Sequence, residues 1–103
     1  MLTFETSHSL SKAAARERVE ALLRHWATKY GVQVAWEGDR VGVRGNVMGV
    51  ALDAKLEISD ARVFGQGTDP GLLLRGQARK YIERKLGEYL SPQASLESLA
   101  NKD

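Results

Sequence analysis

The chain has no cysteine at all. A disulfide framework, a thiol nucleophile and a thiolate metal site are therefore excluded, and the absence fits a cytoplasmic protein. Long apolar runs are missing as well. No stretch approaches the ~18 residues that a membrane-crossing helix needs, and the opening MLTFETSHSL lacks the basic and apolar segments of a signal peptide. Neither sign of charge is in large excess: 15 Lys and Arg against 13 Asp and Glu leave a formal net charge of +2. That balance permits anion binding without arguing for it.

Chemistry-bearing motifs are absent too. His8 lies in a turn and His25 beside Trp26 on a helix, neither within motif distance of a second ligand or an acid. There is no HxxxH, no carboxylate pair flanking a histidine and no serine elbow. Zinc has no credible ligand set. No catalytic residue, metal or cofactor is expected, and an enzyme is the least supported class. Gly65-Gln66-Gly67 before Pro70-Gly71 and a helix has the outline of a phosphate loop. The Lys-Ser/Thr pair or third glycine is missing, so a flexible strand-to-helix linker is the better reading.

What the chain does have is patterning. From Val47 to Ile58, Met48, Val50, Leu52, Ala54, Leu56 and Ile58 alternate with Gly49, Ala51, Asp53, Lys55 and Glu57. A period of two with one apolar side marks a half-buried strand, expected at the middle of a sheet. Leu2 to Thr6 alternates likewise. Val32, Val34 and Trp36 form another strand, turned at Gly38-Asp39 into Arg40 to Arg44. Gly45-Asn46 and Ser59-Asp60 read as further turns, the second leading to a strand through Ala61, Val63 and Phe64. Short strands joined by tight turns imply an antiparallel meander.

Two helices complete the pattern. Lys12 to Tyr30 has no Gly or Pro, an N-cap at Ser11 and a stop at Gly31. Its apolar stripe is Ala15, Val19, Leu22, Leu23, Trp26 and Tyr30. Leu72 to Leu90 carries Leu74, Ala78, Ile82, Leu86 and Tyr89 or Leu90, with Thr68 or Asp69 as cap, Pro70 at the first helical position and Ser91-Pro92 as its end. The expected fold is α+β in the order β-α-β-β-β-β-α. Its antiparallel sheet is covered on one face by two helices, as in a reduced helix-grip. A single domain spans residues 1–90, and residues 91–103 form a partly disordered tail with room for a helical turn through Leu96 and Leu99.

Four stretches together resemble a known family. They are His8-Ser9-Leu10 before the first helix, Ala15 to Tyr30 ending in Gly31, Trp36-Glu37-Gly38-Asp39 after it, and the closing Tyr81-Ile82-Glu83-Arg84-Lys85-Leu86. The chain is similar, from about Leu2 to Leu90, to the polyhydroxyalkanoic acid system family, small bacterial proteins named for genes near polyester granule synthesis. It departs from that pattern between Val47 and Leu74, where a linker with Pro70 stands before the last helix. The resemblance implies a non-enzymatic accessory protein that touches the granule or a granule protein, and it brings no catalytic residue set.

Two other readings come from the residues. A pocket between the last helix and the sheet, lined by Leu52, Leu56, Leu74 and Ile82, would suit a small apolar ligand. A basic helix face of Arg75, Arg79, Lys80, Arg84 and Lys85 would suit an anion. Nucleic acid is disfavoured, because no exposed aromatic platform accompanies these charges. A homodimer is expected through the outer face of the sheet, which Gly49 and Ala51 leave small and uncharged.

Overall fold

In the computed structural model, which describes residues 1–47 and 49–94, five strands and two helices follow one another in the anticipated order. They are β1 (Leu2–Ser7), α1 (Lys12–Tyr30), β2 (Gln33–Glu37), β3 (Arg40–Val47), β4 (Val50–Ile58), β5 (Arg62–Gly67) and α2 (Arg75–Tyr89). All strand pairings are antiparallel, and the spatial order is β1-β5-β4-β3-β2. The long alternating strand, β4, is the centre of the sheet. Strands β2 to β5 form a meander, and β1 closes the far side against β5.

Alternation decides which side of the sheet is dry. Val41 and Val43 on β3, Leu56 and Ile58 on β4, Val63 on β5 and Leu2 and Phe4 on β1 are buried on the inner face. Their neighbours Thr3, Glu5, Arg44, Asp53, Lys55, Glu57 and Gln66 are exposed on the outer one. Ion pairs cross that outer face between strands, Arg40–Glu57, Arg44–Asp53 and Arg62–Glu5. Exposed pairs of this kind contribute at most about 1 kcal/mol each. The inner face is what holds the fold.

Both helices lie on that face. Helix α1 crosses β2, β3 and β4, whereas α2 rests on β1 and on α1. Ser11 Oγ accepts the Ala14 N–H at 3.1 Å, and Gly31 at φ 72° closes the last turn. Ala15, Val19, Leu22 and Leu23 of α1 meet Leu86, Tyr89 and Leu90 at the end of α2 in one core. Trp26, Tyr30 and Trp36 pack against it half-buried.

Three local readings of the sequence are corrected. Gly45-Asn46 is not a turn; β3 continues to Val47, which pairs with Val50, and Gly49 at φ 82° serves the reversal instead. A Cβ at Gly45 would lie 2.9 Å from Val32 Cγ1, so glycine stands there for close approach within the strand. The long strand accordingly starts at Val50 rather than Val47. Gly65-Gln66-Gly67 is not part of a flexible linker; it is the end of β5, paired with β1 on one side and β4 on the other. Helix α2 begins at Arg75, not Leu72, and Leu74 is its N-cap without a side-chain bond. Asp69 does not cap it: its carboxylate accepts the Gly71 N–H and pairs with Arg75 at 2.7 Å. The expectations for Met48 and for the tail through Leu96 and Leu99 lie outside the described residues.

Candidate functional site

Strand register brings several segments to one end of the molecule. Leu2 pairs with Gly67, Gly67 with Ala54, and Gln33 with Arg44, so the start of β1, the end of β5, the β3–β4 turn and the start of β2 share a pole. The end of α1 leads into β2, and the start of α2 follows β5 through residues 68–74, so both reach the same pole. On most inner-layer elements burial falls towards it. Leu56 and Ile58 are buried on β4, but Val50, Leu52 and Ala54 are only half-buried. Val41 and Val43 give way to Val47 on β3, Leu23 to Tyr30 on α1, and Leu86 to Ile82 and Ala78 on α2.

The layer ends in three bare leucines. Leu72, Leu73 and Leu74 are 81%, 91% and 49% exposed. They form a turn held by Leu74 and Arg75 N–H bonds to the Gly71 carbonyl, and Gly71 at φ 104° sets its direction. Scattered surface leucines need no explanation, but three in succession at the pole where the apolar layer is half-buried form a patch.

Aromatic groups also join α1 to α2. Trp26 and Tyr81 stack with centroids 6.2 Å apart, and the Tyr30 and Tyr81 hydroxyls are 3.0 Å apart. Trp26 Nε1 is buried with no hydrogen-bond partner among the described groups. The Tyr81 hydrogen bond, helped by burial, pushes the Tyr30 phenol up to about 12. The neutral phenol is thus favoured in the folded state, above an unfolded value near ~10. Its contribution to stability is complete below pH ~10 and is lost as the pH rises towards about 12. A tyrosinate absorbance titration should show a phenol ionising well above pH ~10, and Tyr81→Phe should bring it down. An unchanged titration in that variant would assign the shift to burial alone.

The residues singled out in the sequence are distributed unevenly around this pole. Of the apolar set, Leu56 is buried in the core, Leu52 and Ile82 are half-buried, and Leu74 is exposed. Of the basic set, Arg75 is tied to Asp69, Arg79 Nε donates to the Thr3 carbonyl at 2.9 Å, and Lys85 pairs with Glu88. Arg84 lies over the Tyr81 ring at 5.6 Å, and Lys80 is exposed. Arg79 thus ties α2 to β1 and Arg75 ties it to the preceding loop, whereas the contacts of Arg84 and Lys85 lie within the helix.

Two surface clefts lie at the opposite pole. One of about 420 Å³ is bordered by Ser7, His8, Ser9, Gly87, Leu90 and Ser91. The other, about 590 Å³, is lined mainly by charged groups, among them Lys12, Asp39, Glu57 and Asp60. His8 is committed to structure. Its Nδ1 accepts the Leu10 N–H at 3.2 Å, which leaves Nε2 to donate to the Ser59 carbonyl at 2.9 Å. The imidazole thereby ties the turn before α1 to the turn between β4 and β5. His8→Ala should lower stability by about 1–3 kcal/mol through two orphaned backbone groups, measured by urea denaturation; a change below the error of that measurement would remove this role. Among the described residues no cluster of histidine and acidic groups could hold a metal ion.

The family model for "Putative polyhydroxyalkanoic acid system protein" matches residues 2–93. The chain belongs to the polyhydroxyalkanoic acid system family. That assignment covers both helices and all five strands. No curated protein and no solved structure matches the chain. No helix among the described residues of this family member is long and apolar enough to cross a membrane. The leucine run was missed by periodicity: read as a helix start, it supplied Leu74 to a stripe. Its signal was three equal apolar residues in a row, which fits neither a period of two nor one of 3.6.

Proposed function

We propose that the protein is a non-enzymatic accessory of the polyhydroxyalkanoate system that docks on the polyester granule through its leucine pole. The observation that carries this reading is the exposure of Leu72 and Leu73 at the pole where Leu52, Ala78 and Ile82 are only half-buried. Fully covering an exposed leucine is worth about 1.5–3 kcal/mol, so this partly covered run supplies roughly 3–6 kcal/mol before the costs of association. A polyester surface offers apolar area without demanding a shaped partner, which suits a short exposed turn better than a deep pocket would. Family membership supports the choice of surface.

The test is co-sedimentation with purified granules stripped of protein. The wild-type chain is expected in the pellet, and the triple variant Leu72→Ser, Leu73→Ser, Leu74→Ser in the supernatant with its melting temperature little changed. Wild-type protein remaining in solution, or equal pelleting of the variant, overturns the reading. Binding restricted to granules that keep their native coat makes a granule protein the partner instead.

The same pole supports a second reading, a small apolar ligand held between α2 and β4. Half-burial of Leu52 and Ile82, between buried Leu56 and exposed Leu74, favours it. Saturable binding of a fluorescent fatty acid, competed by granule monomers but not by granules, would select this reading over the first.

A further inference from the structure

The two edges of the sheet are treated in opposite ways. On β1, Thr3 and Glu5 turn their backbone groups away from β5, and α2 covers them: Arg79 Nε donates to the Thr3 carbonyl, and Glu83 Oε2 accepts the Glu5 N–H. On β2 nothing equivalent occurs. The two-residue loop Gly38-Asp39 makes Glu37 and Arg40 a hydrogen-bonded pair, so Ala35–Gly42 and Gln33–Arg44 are hydrogen-bonded pairs as well. Val34 and Trp36 therefore direct both their N–H and C=O groups outwards. No described group bonds to any of these four. The strand carries neither lysine nor proline, and its one charged residue, Glu37, stands at its end.

We infer that a second copy of this chain pairs with β2, antiparallel, about a two-fold axis at Ala35. Only this register places Val34 of one copy opposite Trp36 of the other at both positions, so all four free groups of each strand are satisfied. The remaining pairs are self-compatible. Ala35 faces Ala35 across the axis with no bulk between them, and Gln33 lies beside Glu37 of the second copy on the outer face. The result is a continuous ten-stranded sheet with all the helices on one side. Because the strands run in opposite directions, the leucine poles sit at opposite ends of the dimer, arranged to bridge two surfaces rather than to grip one. The pairing itself rests on the edge alone and stands whether or not the pole binds polyester.

A chain without cysteine makes the test clean. At a non-hydrogen-bonded antiparallel position the two Cα atoms lie ~4.5 Å apart, within disulfide reach. Ala35→Cys is expected to give a covalent dimer under mild oxidation. Ala51→Cys, exposed on the outer face of the sheet, is expected to stay monomeric. Ala35→Cys crosslinking no faster than Ala51→Cys overturns the proposal, and faster crosslinking of Ala51→Cys assigns the dimer to the face instead. Adding Val34→Pro to Ala35→Cys should abolish the crosslink, since that N–H makes no bond within the chain. A charge pair keeps the test independent of folding. Gln33→Glu sets like charges beside Glu37 and should weaken association several-fold, whereas Gln33→Lys should strengthen it. Equal affinities for the two variants by sedimentation equilibrium would exclude this register.

Discussion

Gly65→Val is expected to destabilise the fold by about 3 kcal/mol, at the upper end of what overpacking costs. The reason lies across the strand. Gly65 pairs with Phe4 on β1 and with Leu56 on β4, and the Phe4 ring lies over the bare Cα. A Cβ built at Gly65 would stand inside the space of Phe4 Cε2 and Cζ. An aromatic ring covering a cross-strand glycine restores the apolar area the glycine lacks, so neither residue is replaceable alone. Phe4, 5% exposed, should cost about 3–5 kcal/mol as Phe4→Ala. The double variant Phe4→Ala, Gly65→Val should be clearly less damaged than the sum, because valine then fills part of the vacated volume. Urea denaturation of the four proteins measures the coupling. Strict additivity would mean that ring and glycine do not share the site.

That pair also shows where sequence reasoning stopped. The alternation of β4, the caps of α1 and the antiparallel order were legible because each is written in residues near one another in the chain. Glycine has two uses that look identical in a sequence, turning the backbone and letting a neighbour close in. Gly38 and Gly49 turn it, at φ 62° and 82°. Gly45, Gly65 and Gly67 instead admit Val32, Phe4 and Ala54, and no local pattern distinguishes these from turns. The leucine run posed the converse problem. Leu72 to Leu74 have the composition of a helix, but Gly71 at φ 104° delays α2 to Arg75 and leaves them in water. The outward-facing groups of Val34 and Trp36 follow from register, which periodicity does not fix.

Leu86→Ala is expected to cost about 2–5 kcal/mol and to release α2 rather than merely loosen the core. Helix α2 has little intrinsic support. It lacks a side-chain cap, and Gly76 and Gly87 each cost about 1 kcal/mol against alanine. Its N-terminal half is exposed or half-buried, held by the side-chain bonds of Arg79 and Glu83 to the β1 edge. Leu86, with no exposed surface, Tyr89 and Leu90 are its anchor in the common core. Removing Leu86 takes out the middle of that anchor, so amide exchange should accelerate along α2 before it does in β3 and β4. Because β1 borrows its edge protection from α2, the Glu5 amide should lose protection together with the helix. Gly76→Ala and Gly87→Ala provide the reverse experiment. A Cβ at either position meets nothing within 4 Å, so together they should return up to about 2 kcal/mol to the Leu86→Ala protein. Exchange that rises uniformly over the sheet and both helices, with no recovery from the alanines, would show that α2 does not separate from the rest of the fold.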